Sequence, residues 1–141
     1  MTKRLYALVG AVLLATAFAV AQAGRTIQAD ITYTGSGTVD ASHKIYVALW
    51  DSANFDGGPP ADTQSVDSKT GTVIFKNVQT VPAYVTTAYD PTGKWDAQSS
   101  PPSGSSLGMY GSKPPTPEPI TVEPGKTVKI KVTFGDSNKV P

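Results

Sequence analysis

The chain has 141 residues, with no cysteine, one histidine, 12 prolines, 13 glycines and a formal net charge of +1. Without cysteine no disulfide supports the fold, and a zinc centre, which wants four N, S or O ligands, has almost nothing to draw on. Charged residues are sparse and unclustered, so there is no basic face of the kind that binds nucleic acid or an anionic membrane, and no nucleic-acid partner is expected.

The N-terminus carries Lys3 and Arg4, then an apolar run of 16 residues from Leu5 to Val20, then Ala21-Gln22-Ala23. Positive region, apolar region and small residues at the cleavage positions form the layout of a secretory signal peptide, with cleavage expected after Ala23. The run is shorter than the roughly 20 residues of a bilayer-spanning helix, so no membrane span is expected after cleavage. No cysteine stands at the start of the processed chain, which excludes a bacterial lipid anchor. The expected localisation is periplasmic or secreted. The remaining chain, Gly24–Pro141, holds ten basic and eleven acidic residues. It reads as one domain, long enough to close a single core without staples.

Strand periodicity runs through this segment. In TIQADITYT, Ile27, Ala29, Ile31 and Tyr33 share one face. TGSGT breaks the pattern. KIYVALWD, Lys44–Asp51, is rich in apolar residues on both faces and reads as a central strand, with Trp50 at its end as core or rim. SANFDGGPPAD is a loop. TQSVDS is a weaker strand suited to an edge. GTVIFKNV, Gly71–Val78, and AYVTTAYD, Ala83–Asp90, are two more strands. In the C-terminal run TVKIKVTF, Val128, Ile130, Val132 and Phe134 alternate with Thr127, Lys129, Lys131 and Thr133, so one face is buried and the other wet. PITV ahead of it, joined through the turn Glu123-Pro124-Gly125-Lys126, predicts a terminal hairpin. The total is about seven strands with turn signals roughly every 8–12 residues. That spacing predicts an all-β, antiparallel β-sandwich of prealbumin-like or Ig-like type.

One stretch breaks the rhythm. Asp90–Pro119 contains seven Pro, four Gly and six Ser. Connections this long are uncommon in a compact domain and are usually functional or disordered. SSPPSGSS reads as polyproline-like or flexible, while Leu107, Met109 and Tyr110 are candidates to pack back onto the sandwich.

GTVIFKNV followed by PAYVTTAYDPTG and then ITVEPGKTVKIKVTF resembles the prealbumin-like β-sandwiches, which include the transthyretin-like and carboxypeptidase-regulatory-like domains of secreted bacterial proteins. The resemblance spans roughly Ile31 to Phe134. It also extends to small secreted bacterial proteins of the DUF2141 type, through Phe55 after the second strand and the acidic loop Asp90–Asp96 after the fifth. This chain departs from the latter by placing Pro91 and Lys94 where ligands would stand. The resemblance implies a non-catalytic binding or accessory module outside the cytoplasm.

Candidate sites follow from the loops. Asp90 and Asp96, joined by Asp51, Asp56 and Asp62 if their loops met, would offer carboxylates to calcium. Calcium wants six to eight oxygens, and a lysine in the loop opposes it. The competing reading is a plain type I turn, Asp90-Pro91-Thr92-Gly93. Trp95, with Tyr110 and Tyr89, is the candidate ligand-contact set for a glycan or an envelope protein, against the alternative that Trp95 anchors its loop. His43 in DASHK lacks a recognisable nucleophile and reads as a solvated histidine, so no catalytic residue and no obligatory cofactor is expected. An edge-strand assembly role is a further alternative.

Overall fold

The computed structural model describes residues 23–55 and 58–141. Of the expected signal peptide, residues 1–22 lie outside the described residues, as does Asp56. Seven strands follow one another: β1 Thr26–Tyr33, β2 Ile45–Trp50, β3 Asp62–Val66, β4 Thr70–Phe75, β5 Tyr84–Tyr89, β6 Ser106–Met109 and β7 Thr127–Phe134. They form a three-stranded sheet, β4-β1-β7, and a four-stranded sheet, β3-β2-β5-β6. The expected all-β sandwich is what the chain builds.

Alternation decides which side chains meet between the sheets. Ile27, Ala29, Ile31 and Tyr33 of β1, Val73 and Phe75 of β4, and Ile130, Val132 and Phe134 of β7 face Ile45, Val47 and Leu49 of β2 and Val85 and Tyr89 of β5, all buried. Each large apolar side chain removed from water contributes about 1.5–3 kcal/mol. The opposite phase of β2 places Tyr46, Ala48 and Trp50 on the outer face of the four-stranded sheet, each half-buried. Its faces are therefore less alike than its composition suggests.

Two features differ from the sequence reading. Pro119–Val122 does not form a hairpin with β7. Ile120 instead bridges Ala83 beside β5, while β7 runs parallel to β1 over its whole length; the other four strand pairings are antiparallel. The reason is the burial of Ile120 and Val122. They hold the crossover that carries the chain from one sheet to the other, and a parallel pairing requires such a crossover. The turn itself is present, with Lys126 N donating to Glu123 O at 3.0 Å. Second, the Pro/Gly/Ser-rich stretch contains β6. Gly108 faces inward so closely against Phe134 and Thr87 that no side chain fits there. The tail covers β6's outer edge, with Leu107 N donating to Asn138 O at 2.7 Å and Val140 N to Ser105 O at 2.9 Å.

Candidate functional site

The strand register separates the two acidic loops. Ile45 of β2 pairs with Tyr89 of β5, and Trp50 pairs with Tyr84. Asp90 therefore emerges at one end of the sandwich and Asp51 at the other, seven residue steps or about 23 Å apart at roughly 3.3–3.4 Å per residue. They do not form a common site.

The Asp90 carboxylate is turned onto its own loop. It is 2% exposed. It accepts hydrogen bonds from Thr92 N at 2.8 Å, Thr92 Oγ1 at 2.8 Å, Lys94 N at 3.2 Å and Trp95 N at 3.0 Å. Burial pushes its pKa up, but these donors outweigh burial and hold it below the ordinary carboxylate value. Backbone N–H groups thus occupy the positions a cation would need. Asp96 accepts from Gln98 N at 3.0 Å. Among the described residues no group of three or more His, Cys, Asp or Glu side chains converges as a metal would require.

The three aromatic candidates are also dispersed. Tyr89 is a core residue, 3% exposed, stacked on Tyr33 with ring centroids 4.8 Å apart, its hydroxyl donating to Thr38 O at 2.8 Å. It presents no surface to a ligand. Tyr110 packs on the core beside Val85 and accepts from Glu118 N at 3.0 Å. Trp95 lies over the outer face of the four-stranded sheet, edge-on to Tyr46 at 5.0 Å. Its Nε1 donates to Ser99 O, and the Tyr46 hydroxyl donates to Trp95 O, both at 3.1 Å. Trp95 therefore anchors its loop, and Asp90 sets the turn that delivers it.

The same end holds a polar knot. Asp136 accepts from the Tyr33 hydroxyl at 2.5 Å, Ser36 N at 2.8 Å, Ser36 Oγ at 3.0 Å and Ser106 Oγ at 2.7 Å. The Tyr33 hydroxyl, then the Ser36 N–H and the Ser106 hydroxyl, hold its carboxyl well below the usual range. This one side chain ties the β1–β2 loop, β6 and the C-terminal tail together. His43 nearby is paired through Nδ1 with Asp40 Oδ1 at 2.9 Å, and its Nε2 lies against Gly93. The imidazole braces two loops.

The opposite end is shaped differently. A hollow of about 240 Å³ opens between the loops that follow β2 and β4, with Leu49, Val78 and Ala83 as an apolar floor and Trp50 as a wall. Its rim is polar: Asp51, Asp62, Lys76, Asn77, Gln79 and Thr80. Asn77 adopts φ 56°, a left-handed conformation asparagine tolerates, which ends β4 and turns the chain along that rim. A second hollow of about 120 Å³ is also lined by Trp50 and Asp51, together with Ser52 and Asn54. The Trp50 indole is fixed. Its Nε1 donates to Thr86 Oγ1 at 2.8 Å, and its ring lies 5.2 Å from Phe55. Of the residues anticipated from sequence, Asp51 and Asp62 belong to this rim. Trp50 could have been found by phase, since inward Ile45, Val47 and Leu49 force it outward. Lys76, Asn77 and Gln79 carry no signal in sequence, because only the turn after Phe75 brings them opposite Trp50.

No family model matches the chain, and no curated protein or solved structure matches it.

Proposed function

We propose that this is an exported, non-catalytic β-sandwich binding module of the periplasm or cell exterior, related to the prealbumin-like domains, whose ligand is a glycan held against Trp50. The observation that carries this reading is the Trp50-walled hollow. A sugar ring has an apolar C–H face and a girdle of hydroxyls that both donate and accept. The hollow offers the matching parts: an immobilised aromatic wall, carboxylate acceptors at Asp51 and Asp62, ammonium donors at Lys76, and amides of both kinds at Asn77 and Gln79. A wall already fixed by Thr86 and Phe55 loses little rotamer entropy on binding. The second hollow, which Trp50 and Asp51 also line, would take a second sugar unit. Export is supported by the basic, apolar and small-residue layout of residues 1–23. Kinship to prealbumin-like domains is supported by the strand motifs and the two-sheet architecture. No cofactor is part of this reading.

The test is a thermal-shift screen of the purified protein against neutral and acidic oligosaccharides. Binding glycans raise the melting temperature, Trp50→Phe retains part of that rise, and Trp50→Ala abolishes it. A screen in which no glycan shifts the melt, or a shift that survives Trp50→Ala, defeats the reading.

A further inference from the structure

A sandwich has four strand edges, and they differ in what meets them here. The edges of β3 and β4 turn toward each other around one corner, where Gln64 Nε2 donates to Ile74 O at 2.7 Å. The edge of β6 is covered by residues 138–140. The fourth belongs to β7, which β6 approaches at the Phe134 end, where Gly108 lies against that ring. Thr26 N donates to Lys126 O at 3.0 Å and Thr34 N to Phe134 O at 2.8 Å. The uninterrupted parallel register between them means that Val128, Ile130 and Val132 also spend their backbone groups on β1. The N–H and C=O groups of Thr127, Lys129 and Lys131 consequently point away from the sheet. Among the described residues no other segment bonds to them.

The side chains along this edge select what can join it. On the outer face Lys129 and Lys131 stand exposed two residues apart, with Lys126 just before the strand. On the inner face Val128 is only partly covered. A second copy added antiparallel through the same strand would set Lys129 opposite Lys131 of its partner, twice over, in the register centred on Ile130, and would set one of these lysines opposite its own copy in the registers centred on Lys129 or Lys131; like charges directly opposite destabilise a strand pair. An extended segment with acidic residues at alternate positions meets the lysines with opposite charge, and its intervening apolar residues extend the cover over Val128.

We propose that the β7 edge is a docking site for an acidic–apolar alternating strand of a partner protein, added to the β4-β1-β7 sheet by backbone hydrogen bonding, and that Lys129 and Lys131 exclude self-association there. Main-chain bonds supply the affinity and the lysine pair supplies the selection. The site lies on the other sheet from Trp50 and does not depend on the glycan reading.

The experiment uses the protein itself as the complementary strand. Lys129→Glu/Lys131→Glu inverts the edge without touching the core. Sedimentation of the wild type alone and of the variant alone gives monomers. An equimolar mixture gives a heterodimer of twice the protomer mass that dissociates in 0.5–1 M salt, where screening is short-ranged (about 3 Å at 1 M). Amide exchange gives the second readout. In the wild type the Lys129 and Lys131 amides exchange fast while those of Val128 and Ile130 are protected, and mixing slows the lysine pair. A mixture that stays monomeric while both proteins are folded by circular dichroism overturns the proposal. So does a wild type that dimerises alone through β7, and so do Lys129 and Lys131 amides already protected in the monomer.

Discussion

Removing the Asp136 carboxylate is the sharpest perturbation of the fold, because one surface-proximal side chain holds two buried hydroxyls. Tyr33 is 3% exposed and Ser106 1% exposed, and both donate to Asp136. A hydrogen bond to a charged acceptor is worth about 1.5–3 kcal/mol net, and a buried donor left without a partner costs about 1–3 kcal/mol. The Ser36 bonds are exposed and add little. Asp136→Ala leaves room for water to reach one of the hydroxyls, so the expected loss is ~2–5 kcal/mol. Asp136→Asn keeps an acceptor for Ser36 N–H and offers its NH₂ to hydroxyls that can rotate to accept, so its loss is ~1–2 kcal/mol. In urea, at an m-value of ~1.5 kcal/mol/M, the alanine variant's midpoint falls by ~1.5–3 M. The same side chain sets the acid limit. The folded pKa of Asp136, like that of Asp90, lies below its unfolded value of about 3.9. The stability it contributes is therefore fully present above about pH 4 and is lost as pH falls toward the folded value. The wild type should lose stability below pH 4 more steeply than Asp136→Asn. An alanine variant within ~0.5 kcal/mol of wild type, or two parallel acid profiles, would refute the reasoning.

Two further substitutions probe the long connection. Asp90→Ala removes the acceptor for Thr92, Lys94 and Trp95 N–H and releases Trp95 from Tyr46. In a Trp50→Phe background the emission of Trp95 should shift to the red, with a stability loss of ~1–3 kcal/mol, and an unchanged spectrum would contradict the anchoring role. Gly108→Ala places a methyl against Phe134 and 2.6 Å from Thr87 Oγ1. Overpacking of this kind costs ~1–3 kcal/mol, and fast amide exchange at Leu107 and Val140 should accompany the lower melting temperature. Undiminished stability would mean that β6 is not seated on β7.

The alternation of Ile27, Ala29, Ile31 and Tyr33, and of Val128, Ile130, Val132 and Phe134, was legible because a strand's side chains have a period of two and the interior accepts only one phase. The sandwich class, the edge character of β3 and the turn at Glu123–Lys126 follow from such local rules. Pairing partners do not. That β7 lies parallel to β1, that Ile120 bridges Ala83, and that a four-residue Ser/Gly strand completes the second sheet depend on contacts across most of the chain. No short window of residues encodes them. The same limit applies to the site. Sequence proximity joined Trp95 to Tyr89 and Tyr110, but packing turned Tyr89 into the core and spent Trp95 on Tyr46. The antiparallel register put Asp51 and Asp90 at opposite ends. Trp50 met Lys76, Asn77 and Gln79 only once two loops from different sheets shared one rim. Local chemistry determines which residues can be inside, on a turn or on a face; which of them meet is decided by strand order, because strand order alone sets the distance between residues far apart in the chain.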